Sequence, residues 1–170
     1  MDDFKEERKY LLIVSAPLLG HMYLLIKVHK NNFPGRAVVS QVNDPTYKVC
    51  KILTDILNPL VKNGQSYVEN AADLKRFLWK LQIDNTDLQA CFDVVALYPS
   101  IPIPKALDCV RRKLLEDTTL SKRTDWRPDD IMKLLEICLE THFIIGNIYT
   151  QHDGIPRKSI SGPIADIFMI

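Results

Sequence analysis

Neither sign of charge predominates in this chain: 22 Lys and Arg face 21 Asp and Glu, a formal net charge of +1 over 170 residues. That balance excludes a globally basic nucleic-acid binder, so any phosphate-binding surface has to be local. No low-complexity tract occurs, and 46% hydrophobic content suffices for a substantial core, which excludes a disordered chain. No C-x-x-C pair occurs among Cys50, Cys91, Cys109 and Cys138, and no His stands at zinc-ligand spacing from them. The four thiols are expected as reduced core residues of an intracellular protein, with nucleus and cytoplasm not distinguished. No uninterrupted apolar run reaches the roughly twenty residues of a membrane span. The nearest, Tyr10 to Ile26, is broken by Pro17, Gly20 and His21 and preceded by mixed charges rather than the basic start of a signal peptide, so no membrane partner is expected.

What is present centres on Cys91-Phe92-Asp93-Val94-Val95-Ala96-Leu97-Tyr98-Pro99-Ser100-Ile101-Pro102. It sets one carboxylate in an apolar, β-branched run that predicts a buried strand ending at a proline turn. A buried ionised carboxylate costs several kcal/mol unless compensated. Asp93 is therefore a salt-bridged or turn-capping residue, or a metal ligand. Tyr98, five residues on, lies on the opposite face of an ideal strand and reaches the same pocket only if the chain turns; alternatively it is an amphipathic core residue with a wet hydroxyl.

Two further segments carry polar chemistry. Met22 to Lys30 and Arg36 to Ser40 are β-prone runs around Asn31-Asn32-Phe33-Pro34-Gly35 and predict a hairpin. Lys27, His29, Lys30 and Arg36 make its end basic, suited to phosphates, although any single lysine taken alone reads more readily as solvated surface. Phe143 to Gln151 predicts a second hairpin around Gly146-Asn147. It leads into Gln151-His152-Asp153-Gly154-Ile155-Pro156-Arg157-Lys158-Ser159 and then Ile160-Ser161-Gly162-Pro163-Ile164-Ala165-Asp166-Ile167-Phe168-Met169, a glycine-containing turn ahead of a helix.

Taken together these segments resemble the reverse transcriptases of Penelope-like retroelements over about residues 20 to 170. Phe-Asp-Val-x-x-Leu-Tyr-x-x-Ile-Pro is similar to the first carboxylate motif, the basic hairpin to the fingers, and Gln-x-x-Gly-Ile-Pro with Ile-Ser-Gly-Pro-Ile-Ala-Asp-Ile-Phe-Met to the second palm motif. The resemblance implies an α+β fingers-plus-partial-palm fragment, with an N-terminal extension (1–19), a fingers-like region (20–90) and a partial palm (91–170). It implies RNA-directed DNA synthesis in a full-length enzyme, on an RNA template and DNA primer with deoxynucleotides and two Mg²⁺ ions. Asp93 would be a catalytic metal ligand and Tyr98 the residue beneath the nucleotide sugar. Lys27 and Arg36 would contact the triphosphate, Gln151 and Gly154 would contact nucleotide or template, and Lys30, Lys48 and Lys51 would contact nucleic acid.

Two departures shape the expectation. Arg157-Lys158-Ser159 stands where the family has Met-Gly-Ser-Pro, so Lys158 is expected to crowd the nucleotide platform. The family's Asp-Asp hairpin does not occur, and the chain is expected to be truncated before it and inactive alone; a non-catalytic nucleic-acid-binding remnant is the alternative. Asp129-Asp130 looks like a catalytic pair but follows Pro128, and is expected as the acidic first turn of a helix.

Helices are expected elsewhere from apolar spacing. One runs from Pro45 to Leu60, and a core-covering one from Asn70-capped Ala71 to Leu81. Two more open at Pro104, with Ala106, Leu107, Val110, Leu114 and Leu115 inward, and at Pro128, with Ile131, Leu134, Leu135, Cys138 and Leu139.

Overall fold

A computed structural model describes residues 12–29, 31–62, 67–82 and 84–170. Lys30, an expected phosphate contact, lies outside the described residues.

Locally favoured turns place both hairpins where the sequence predicts them. Strands β1 (Gly20–Ile26) and β2 (Gly35–Val39) pair antiparallel, with Leu25 opposite Arg36 and Leu24 opposite Ala37. Strands β3 (Thr141–Ile145) and β4 (Asn147–Gln151) pair antiparallel about Gly146, with Ile145 opposite Asn147, and the left-handed φ of 69° at Gly146 suits so tight a reversal. The hairpins then join edge to edge. Gly20 and His21 of β1 lie beside Phe143 and Ile144 of β3 in parallel, giving one mixed sheet in the order β2-β1-β3-β4.

The core is helical. Helix α1 (Tyr47–Lys62) buries Cys50, Leu53, Ile56, Leu57, Leu60 and Val61 on one stripe. Its Pro59 lacks the N–H that would reach Asp55, a loss tolerated in the last turn. Helix α4 (Ile103–Glu116) begins with Pro104 in its first turn and buries Ala106, Val110 and Leu114. Helix α5 (Pro128–Leu139) likewise begins on proline and buries Ile131, Met132, Leu135, Cys138 and Leu139. Helix α6 (Ser161–Met169) packs against α1 and α4, which makes it the central element, with Ile164, Ala165 and Ile167 buried. The chain is thus a mixed α+β protein. Among the described residues no helix is long and apolar enough to cross a membrane.

Four expectations give way. Residues 91–94 form no strand: Phe92 is 92% exposed, and the run ends in a turn at Val95-Ala96 followed by the short helix α3 (Leu97–Ser100). A β-prone run becomes a strand only where a neighbour offers a ladder, and none of the four strands flanks it. Helix α2 (Ala71–Leu78) is capped by Asn70, whose side chain accepts from the Asp73 N–H, but it stops three residues early and buries none of its residues. Leu74, Phe77 and Leu78 of its apolar stripe are exposed among the described residues. Leu115 of α4 is exposed, since it falls one position outside the stripe that continues through Leu114. Of the cysteines, Cys50 and Cys138 are buried and Cys109 is half-buried, but Cys91 is exposed with the unpaired run that carries it; all four are free thiols.

Candidate nucleotide and nucleic-acid site

The two segments that carry the palm resemblance meet. The chain reverses at Ala96, which adopts a left-handed φ of 51°, and α3 then presents the Tyr98 carbonyl to the Ile155 N–H at 2.9 Å. Gly154 has a φ of 70°, and a Cβ there would lie 2.5 Å from the Pro99 Cα and 2.6 Å from its carbonyl oxygen. Only glycine permits that approach, so the Gly154-Ile155 turn and the Tyr98-Pro99 turn are fitted backbone to backbone. The Arg157 guanidinium sits over the half-buried Tyr98 ring, 5.2 Å from its centroid, a cation–π contact on an exposed surface. The Gln151 amide donates to the Asp153 and Gly154 carbonyls at 3.0 and 3.3 Å, and so braces the turn.

Tyr98, Gln151 and Gly154 are therefore brought together, with Arg157 added to them. The other expected site residues are not linked to this locus by any hydrogen bond, ion pair or ring contact among the described residues. Asp93 is exposed, so the burial cost that made its carboxylate conspicuous does not arise, and it has no ion pair or hydrogen bond among the described residues. Lys27 closes the hairpin with its backbone N–H donated to the Pro34 carbonyl at 3.0 Å. Arg36 projects from an exposed position on β2. Lys48 donates its ammonium to the Ile13 carbonyl at 2.7 Å, whereas Lys51 faces solvent.

Lys158 does not crowd the turn surface, contrary to the expectation from its bulk. Its side chain runs inward, where the ammonium lies 3.6 Å from Asp44 Oδ2 and donates to Thr46 Oγ1 at 3.0 Å. Asp44 also accepts from the Thr46 N–H at 2.7 Å, which fixes the start of α1. One residue on, the Ser159 N–H donates to Gln41 Oε1 at 3.2 Å. These bonds fasten the loop after β2 to the turn before α6. Lys158, Ser159, Gln41, Asp44 and Thr46 carry this joint, and only Asp44-x-Thr46 before an apolar helix left a trace in the sequence, as a side-chain-to-backbone turn signal.

Asp129 and Asp130 occupy the first turn of α5, as expected. Asp129 pairs with Arg111 at 2.7 Å and Asp130 with Arg127 at 3.0 Å, so both serve the helix start. The Arg127 guanidinium pulls the Asp130 carboxyl below its usual range.

As a metal site the donor set is thin. Asp93 offers one hard oxygen donor, and no group of three or more His, Cys, Asp or Glu that could hold a metal ion occurs among the described residues. These residues do not by themselves fit a pair of Mg²⁺ ions. No protein-family model matches the chain, and no curated protein matches it.

Proposed function

We propose that the chain carries the fingers and part of the palm of an RNA-directed DNA polymerase of the Penelope-like kind. One observation supports the reading above others: the two segments whose wording resembles separate palm motifs pack against each other through Tyr98, Pro99, Gly154, Ile155 and Arg157. A shared site requires such contact between the two segments. In this reading Tyr98 and Gln151 border the nucleotide, Arg36 and Lys27 offer cations to its phosphates, and the template and primer are the partners. Asp93 would supply one ligand to Mg²⁺. A single carboxylate does not fix the attacking and leaving oxygens of a phosphoryl transfer, so no chemical step is assigned to these residues.

A second reading, a nucleic-acid-binding module without catalysis, is favoured by that lone carboxylate together with the exposed Arg36 on the hairpin. Both readings require binding through the hairpin. Anisotropy titration of a labelled RNA/DNA hybrid across a salt series should give weak, salt-sensitive binding. Arg36→Ala should flatten the salt slope by about one unit, while Lys5→Ala, outside the resemblance, should not. Equal effects of the two changes would sink both readings. Primer extension then separates them, since the chain alone is expected to give no product, and activity abolished by Asp93→Ala would establish the catalytic one.

A further inference from the structure

We infer that the protein self-associates through the outer edge of β4, two copies pairing antiparallel about a two-fold axis at Tyr149 so that their four-stranded sheets become one. The inference does not rest on the polymerase reading. In the order β2-β1-β3-β4, β4 pairs with β3 on one side and with no other strand among the described residues on the other, which leaves a row of backbone N–H and C=O groups open along that edge. Edges that stay single are blunted by Lys, Pro, a bulge or an inward charge. Asn147-Ile148-Tyr149-Thr150-Gln151 has no charged residue and no proline, and its register with β3 runs through all five residues without a bulge. The opposite edge is guarded. There β2 carries Arg36, and Lys27 closes the same end of that hairpin, so two copies meeting along β2 would gather like charges.

The occupant is a second copy because β4 is its own complement. An axis through Tyr149 is the arrangement that pairs the whole strand: Tyr149 meets its counterpart, Ile148 meets Thr150, and Asn147 meets Gln151, with no charge opposed to another. Residues opposite each other share a face, so the two Tyr149 rings meet on the face where Phe143 already stacks on Tyr149, ring centroids 5.9 Å apart and planes 19° apart. Association extends that pair into a row of four rings across the axis. It also covers Tyr149 and Ile148, which are 47% and 66% exposed in the single chain. A contact of five residues a side is smaller than the roughly 1,200 Å² at which standard interfaces begin, so the dimer is weak and depends on concentration.

Sedimentation equilibrium of the full chain from about 10 µM to about 1 mM, the range of a weak interface, should show a weight-average mass that climbs from one chain toward two and no further. Tyr149→Lys and Tyr149→Glu each remove the ring and set like charges against each other on the axis, so each should lower the association constant by about tenfold. An equimolar mixture of the two variants sets opposite charges across the axis and should associate more tightly than either variant alone. A hairpin melted by the substitutions would give no such recovery. A wild-type chain that stays monomeric throughout the range would overturn the proposal, whether another partner or none covers the edge. So would association that neither substitution weakens, a mass that grows beyond two chains, or a mixture no tighter than its components.

Discussion

Lys158 and Asp44 are separated by most of the chain yet form an ion pair at 3.6 Å, with side chains only 4% and 8% exposed. Thr46 bridges them, accepting from Lys158 at 3.0 Å and donating its hydroxyl to Asp44 Oδ1 at 2.5 Å. A buried pair of this kind is costly to break from one side, because the survivor keeps its desolvation and loses its compensation.

Lys158→Met should therefore destabilise the protein by about 3 kcal/mol, whereas adding Asp44→Asn should recover part of the loss. Urea unfolding of the two single variants and the double variant gives the coupling. If the effects of the single changes simply add, the pair is not an energetic unit.

Gly154→Ala should cost on the order of 2 kcal/mol or more, since the residue meets both a left-handed φ and the Pro99 backbone. Gly146→Ala has the same backbone conformation and nothing within 4 Å of the new methyl, so it should cost only about 1 kcal/mol. The difference between the two melting curves measures the close approach of the two turns, and equal losses would argue against it.

Arg157→Ala should weaken the Tyr98 contact by about 0.5–1 kcal/mol, the range for an exposed cation–π pair. A double-mutant cycle with Tyr98→Leu reads that coupling directly. A coupling of zero would mean that the guanidinium is not held over the ring.

Asp117 governs an acid-side dependence. Burial alone would raise its pKa, but hydrogen bonds from Thr119 and Arg123, with the charge of Arg123, hold it below the ordinary 3.8. The folded state therefore binds this proton less readily than the unfolded chain does. Its stabilisation is present above 3.8 and is lost as pH falls through the lower folded value. Asp117→Asn should lower the melting temperature at pH 7, and the gap to the wild type should close as the pH falls below that range.

Much of the fold was legible because its signals are local. Proline in the first turn fixed the starts of α4 and α5, Asn70 capped α2, and Gly146-Asn147 marked the turn between β3 and β4. The same locality identified Asp129-Asp130 as a helix start. What failed depended on distant partners. The run around Asp93 has strand-like residues, but strand formation needs a ladder that the sequence of the run cannot supply. Lys158 reads as a bulky surface cation until Asp44 and Thr46, more than a hundred residues earlier, draw it inward. Of the candidate site, the meeting of the Tyr98 and Gly154 turns was anticipated only through the resemblance, and the contribution of Arg157 was not anticipated.

The parallel pairing of Gly20 with Phe143 bears on how the molecule reaches its folded state. Each hairpin closes a short loop and can form within microseconds, whereas joining β1 to β3 closes a loop of more than a hundred residues, at an entropic cost of about 4 kcal/mol. That cost is recovered only when the helices between the hairpins have packed. During synthesis β1 and β2 must wait, with the edge of β1 that later meets β3 unpaired, until nearly all of the described chain has emerged. The β1–β3 edge thus cannot be completed before β3 has emerged, and that waiting edge is a place where a nascent chain is open to wrong pairing.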